Sequence, residues 1–134
     1  MILDGHTGIE HNLPVAPLYE DVLQLWAATD AGYTPTLVVS YGGLLGEYFW
    51  YQKSNVWEDE RLLTFVPRPI VDARSHRRTM AHEDDYYYVE VAKQAKHLID
   101  QGNIMQVGAH GQMQGIAAHW ELWMDSAPGR HDAA

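Results

Sequence analysis

The stretch YTPTLVVSYGG, Tyr33–Gly43, decides how the rest of this chain is read. Its centre, Leu37-Val38-Val39, is an unbroken β-branched and apolar run. Runs of that kind belong to strands buried on both faces of a parallel sheet. The expectation is therefore a strand through Val39 with a polar end at Ser40-Tyr41. Upstream, Thr7 to His11 reads as a short strand that ends in Glu10-His11-Asn12. Pro14 and Pro17 block regular pairing beyond it. LYEDVLQLWAATDAG then carries Leu18, Val22, Leu25 and Trp26 at helical spacing, with Gly32 as the expected stop.

Downstream, LLGEYFWYQKS and WEDERLLTF read as short helical turns loaded with aromatics. VPRPIVDARSHRRTM reads as a loop rich in Pro and Arg. AHEDDYYYVEVAKQAKHLIDQG is the clearest helix, with acidic residues in its first turn, lysines later and Gly102 as its stop. NIMQVGAHGQ reads as a third strand ending in a glycine-flanked histidine, and GIAAHWELWM starts a last helix. The order is β-α-β-α-β-α, with crossovers long enough for parallel strands. All three strand ends carry polar groups: His11-Asn12, Ser40-Tyr41 and His110. A strand-end histidine or tyrosine often only caps a loop. Three on one edge suggest a site, because α/β sheets and barrels bind at the carboxyl ends of their strands.

The totals narrow the function classes. The 134 residues fit one domain, and 46% hydrophobic with 20% charged residues is a globular composition. A formal charge of −9 argues against duplex DNA or an anionic membrane surface as partner. The one basic run, Arg74-Ser75-His76-Arg77-Arg78, is short and reads as a solvated loop. The absence of cysteine excludes disulfides, Cys-ligated zinc and thiol chemistry. No apolar run approaches the roughly 18 residues of a membrane span. The N-terminus carries no signal-peptide pattern, so the expected location is cytoplasmic. Eight histidines, five Trp, eight Tyr and two Phe are many for this length. Imidazoles are common metal ligands and near-neutral proton carriers.

GIEHN, YTPTLVVSYGG, VGAHGQMQG and AHWELWM, in this order, resemble the C-terminal part of metal-dependent amidohydrolases of the imidazolonepropionase- and prolidase-like group. The resemblance covers about residues 1–124, leaving 125–134 as a non-family tail. It implies an α/β fold, a partial (β/α) barrel with about three parallel strands and their helices. GIEHN would be the sixth of eight strands, TPTLVVSYGG the seventh and VGAHGQ the eighth. His11 then corresponds to the sixth-strand metal ligand. His110 stands where the family has a catalytic Asp, within Gly108-Ala109-His110 in place of Gly-Thr-Asp. Strands one to five, which carry the remaining ligands, have no counterpart, so Met1 looks like an internal methionine used as a start. The tail around Arg130-His131-Asp132-Ala133 is compatible with an out-of-frame reading of the family's Gly-Met-Thr-Pro turn; a gene sequence without that relic would refute this origin.

Three strands cannot close a barrel, and both outer strands would leave unpaired backbone groups. Trp26, Trp50, Trp57 and Trp120 would also need cover. The expectation is a homo-oligomer, at least a dimer, which completes the partial barrel. EYFWYQKSNVW is its favoured interface, with a pocket lining as the alternative. Function follows in three forms. The first is a hydrolase using Zn²⁺, or another divalent ion such as Mn²⁺, on activated ester, phosphotriester, lactone or amide bonds of a small-molecule substrate. There the metal ligands are His11 and His110, Glu10 or Asp4 is a base or supporting carboxylate, and Tyr41 is an oxyanion donor. The second is a metal-free esterase with His110 or His11 as general base. The third is a non-catalytic, self-associating remnant. His119 and Glu121, at i and i+2 on a helix, are poor co-ligands. His76, His82 and His97 read as surface, and His131 as tail.

Overall fold

The computed structural model describes residues 1–76 and 79–126. Arg77 and Arg78 of the basic run, His131 and the rest of the tail from 127 lie outside the described residues. Strand β1, Gly8–Glu10, pairs in parallel with β2, Gly32–Thr34, in the register Gly8↔Gly32, Ile9↔Tyr33 and Glu10↔Thr34. The expected third strand is present as a single parallel bridge, Tyr33↔Met105. The Tyr33 N–H donates to Ile104 O at 2.9 Å, and the Gln106 N–H to Tyr33 O at 2.8 Å. β2 therefore lies in the middle, between β1 and the Met105 segment. The architecture is mixed α/β, with the helices carrying most of the regular structure.

The strand expected at Leu37-Val38-Val39 is not one. Regular pairing stops at Thr34, and the apolar run folds into a tight turn between Thr36 (φ 54°) and Ser40 (φ 50°). Pro35 has no N–H to give a ladder. The Leu37 and Val38 N–H groups donate instead to the carboxylate of Glu121, at 2.6 and 2.8 Å. The run is still the centre of the core, with Leu37 and Val38 at 0% exposure. An unbroken apolar run reports burial, and burial alone does not fix strand geometry.

Among the described residues six α-helices surround this core: α1 Glu20–Ala27, α2 Gly46–Lys53, α3 Glu60–Phe65, α4 Arg68–Ser75, α5 Tyr88–Asp100 and α6 Ile116–Ser126. None is long and apolar enough to cross a membrane. Gly32 does not stop α1, which ends five residues earlier; it opens β2. The Pro-Arg segment expected as a loop contains α4. Its prolines sit at the cap and the first turn, where a missing N–H costs nothing, and Val71 is fully buried.

Two apolar clusters meet along α5. The smaller joins Ile9, Tyr33 and Met105 from one sheet face to Leu23 and Trp26 of α1 and Ala95 and Leu98 of α5. The Trp26 indole N–H donates to Ala31 O at 2.8 Å, so its one polar atom is satisfied inside. The larger cluster gathers Leu37–Val39, Phe49 and Tyr51 of α2, Val71 of α4, Val91 of α5, and Trp120 and Met124 of α6. The aromatic segment expected at an oligomer interface is thus largely interior. Phe49, Tyr51, Trp26 and Trp120 are buried within one chain, and Trp50 stacks on Trp120 with ring centroids 6.2 Å apart. Intramolecular helix packing has covered what three strands alone would expose.

The opposite sheet face is polar, and the chain itself closes part of it: Gly32 and Thr34 are buried there, and Gly108 packs against Thr34. Alternation along the strands puts Gly8, Glu10, Gly32, Thr34 and Gln106 there. A Cβ on Gly32 would stand 3.7 Å from the Gln106 side chain. The Thr34 hydroxyl donates to Gln106 Oε1 at 3.2 Å.

Candidate functional site at the strand ends

The chain leaves the sheet after β1, after β2 and after the Met105 bridge, and His11, Tyr41 and His110 converge from the segments that follow. His11, the first residue after β1, has φ 69° and His110 has φ 52°, both in the left-handed region that costs a non-glycine residue about 1–2 kcal/mol. With Thr36 and Ser40 they are the positive-φ non-glycine residues among those described. Residues held in such backbone conformations recur at functional sites. The two imidazoles meet edge-on, with ring centroids 4.7 Å apart at 66°. Tyr41 meets His11 edge-on, at 5.2 Å and 87°. His11 is half-buried, and its Nδ1 is buried without a hydrogen-bond partner among the described residues. His110 is exposed and Tyr41 is 44% exposed, so solvent reaches the pair from their side.

Below these side chains lies a set of buried polar anchors. Asn12 holds Tyr41: its Oδ1 accepts the Tyr41 N–H at 2.6 Å, and its Nδ2 donates to Tyr41 O at 2.7 Å. Glu121 holds the turn that leads to Ser40-Tyr41. Burial pushes its carboxyl up to about 7, against the lowering effect of the two backbone N–H donors. One turn further along α6, burial alone pushes Asp125 up to about 7 as well. Glu47, near the start of α2, accepts from Gln112 Nε2 at 3.0 Å and from the Tyr51 hydroxyl at 3.3 Å, which ties down the turn after His110. Its carboxyl is raised by burial, with Arg74, 3.9 Å away, opposing the rise. Arg74 of the basic run therefore faces a buried carboxylate and is only partly a solvated residue.

Of the residues expected at a site, His11, His110 and Tyr41 are brought together. Glu10 is exposed on the polar sheet face beside Gly8, and Asp4 pairs with the N-terminal ammonium at 2.8 Å. Among the described residues no group of three or more His, Asp or Glu side chains could hold a metal ion. Among the described residues the donor set at this place is thus two imidazoles, short of the three protein ligands of a catalytic zinc. His76, His82, His97 and His119 are exposed. Sequence reading missed Glu47 and Glu121 as anchors. The usable signal was a lone carboxylate inside an aromatic and apolar run, LLGEYFW in one case and HWELWM in the other.

No protein-family model, curated protein or solved structure matches this chain.

Proposed function

We propose that this chain is a hydrolase of small molecules, acting on activated ester, phosphotriester, lactone or amide bonds, with His11 and His110 at its centre. The observation that carries the reading is the 4.7 Å approach of two histidines with left-handed φ, one directly after β1 and one in the turn beyond the Met105 bridge, far apart in sequence. The amidohydrolase resemblance belongs to the same proposal, with β1, β2 and the Met105 segment as strands six, seven and eight of a barrel. Their parallel order, the helices on one sheet face and the polar opposite face all support it.

In this reading the exposed His110 takes the proton of an attacking water, work suited to an imidazole near neutral pH. The Tyr41 hydroxyl donates to the oxygen that gains charge, and the half-buried His11 stays beside His110 to receive or orient the proton. Zn²⁺ or Mn²⁺ would be held by His11 and His110, completed by the imidazoles of a second copy. When bound, the ion would lower the pKa of its water. Glu10 enters only through that paired form, because its own chain carries it on the sheet face. A metal-free reading rests on the same pair, with one imidazole as general base and the other beside it.

Turnover of p-nitrophenyl acetate or paraoxon separates these. Activity lost to a chelator and restored by Zn²⁺ or Mn²⁺ supports the metal form. Activity indifferent to chelator but lost in His110→Ala supports the metal-free form. No turnover of either probe sinks both.

A further inference from the structure

We propose that Asn12 is a positioning residue that fixes the orientation of His11 against Tyr41; its catalytic consequence rests on the hydrolase reading above. The last ladder pair of the sheet is Glu10↔Thr34. Two residues later Asn12, only 4% exposed, grips both backbone groups of Tyr41 as a neighbouring strand would. Its second amide hydrogen reaches Leu13 O at 3.3 Å. The Leu13 N–H in turn donates to the Tyr33 hydroxyl at 3.3 Å, which returns the chain to β2. His11 is therefore the single residue between two anchors, the sheet on one side and the Asn12 clamp on the other. Its left-handed φ is what that span demands, and the same clamp sets the distance from which Tyr41 approaches the His11 ring. No other side chain of this size does both jobs. An Asp keeps the acceptor but loses the donor to Tyr41 O, and leaves a carboxylate oxygen against a carbonyl in a buried place.

Gln52 provides an internal control. It makes the same two-way amide clamp on Ala81, with Nε2 donating to Ala81 O and Oε1 accepting the Ala81 N–H, both at 2.9 Å. That clamp ties α2 to the segment before α5 and is built into no part of the site.

The test combines NMR of the histidine ring protons with kinetics on p-nitrophenyl acetate, in wild type, Asn12→Ala, Asn12→Asp and Gln52→Ala. The His11 signal is assigned by its loss in His11→Ala. In Asn12→Ala the His11 ring signal is expected to move toward that of an exposed histidine while His97 and His119 keep theirs, and kcat is expected to fall roughly 10–100-fold with little change in KM. Asn12→Asp should fall between, and Gln52→Ala should lose stability but keep both kcat and the His11 signal. An unmoved His11 signal, or an unchanged kcat, in a folded Asn12 variant overturns the proposal. If neither variant folds, the wild type decides. Slow exchange of the Asn12 carboxamide protons and cross-peaks from them to Tyr41 support the clamp, and their absence overturns it. A wild type inactive on the probe removes the hydrolase reading, and with it the catalytic part of this proposal, whatever the NMR result.

Discussion

Glu121 does at the residue scale what a neighbouring strand would otherwise do. Its two oxygens take the Leu37 and Val38 N–H groups, and its burial is complete. Glu121→Gln keeps the shape but turns one acceptor into a donor facing an N–H, so one buried backbone group loses its partner. The expected cost is about 1–3 kcal/mol, read as a lower urea midpoint at unchanged slope. The same residue sets a pH dependence. Its folded pKa of about 7 lies above the ordinary 4.5, so the folded form binds the proton more tightly. The associated stability is present at low pH and is lost as pH rises toward and through 7. Asp125, raised to about 7 from 3.8, acts in the same direction. The thermal midpoint should therefore fall between pH 5.5 and pH 8, and fall less in Asp125→Asn. A midpoint that rises over that interval would contradict the burial assigned to these carboxylates.

At the scale of elements, the position of α2 depends on one absent methyl group. A Cβ on Gly46 would lie 2.1 Å from Leu37 O, a backbone atom that has no room to yield. Gly46→Ala should cost at least about 1–3 kcal/mol through forced displacement of α2 from the 37–39 turn. Gly102, with nothing near its missing Cβ, should lose only the strain of its φ of 92°, about 1 kcal/mol. Equal urea midpoints for the two alanine variants would refute this account of α2. The contrast also explains what could be read in advance. α5 was legible because its later lysines and its glycine stop are local signals, although it begins only at Tyr88 and the acidic Glu83–Asp85 form a separate 3₁₀ turn ahead of it. α4 was hidden by Pro67 and Pro69, which look like loop residues but are harmless at a helix start. The 37–39 turn was misread because its hydrogen-bond partner, Glu121, lies over 80 residues away. The candidate site divides in the same way. His11, Tyr41 and His110 stood out as polar strand ends, while the clamps by Asn12, Glu47 and Glu121 are long-range contacts that no spacing rule encodes.

For the whole molecule, the three parallel segments with one helix-covered face and one polar face leave the question of what meets the exposed Glu10 and Gln106 of the polar face. The proposed answer is a second copy of the chain, which would also bring the missing imidazoles to a shared metal. Light scattering at micromolar concentration should then give at least twice the chain mass of 15.2 kDa, and a monomer would remove the shared-metal form. It would leave the histidine pair itself untouched, because that pair is assembled within one chain. Its role is tested most directly by p-nitrophenyl acetate hydrolysis in wild type and His110→Ala under identical conditions. A fall in kcat of roughly 10²–10⁴-fold is expected in His110→Ala, the usual contribution of a positioned acid or base. Equal rates in the two folded proteins would contradict it.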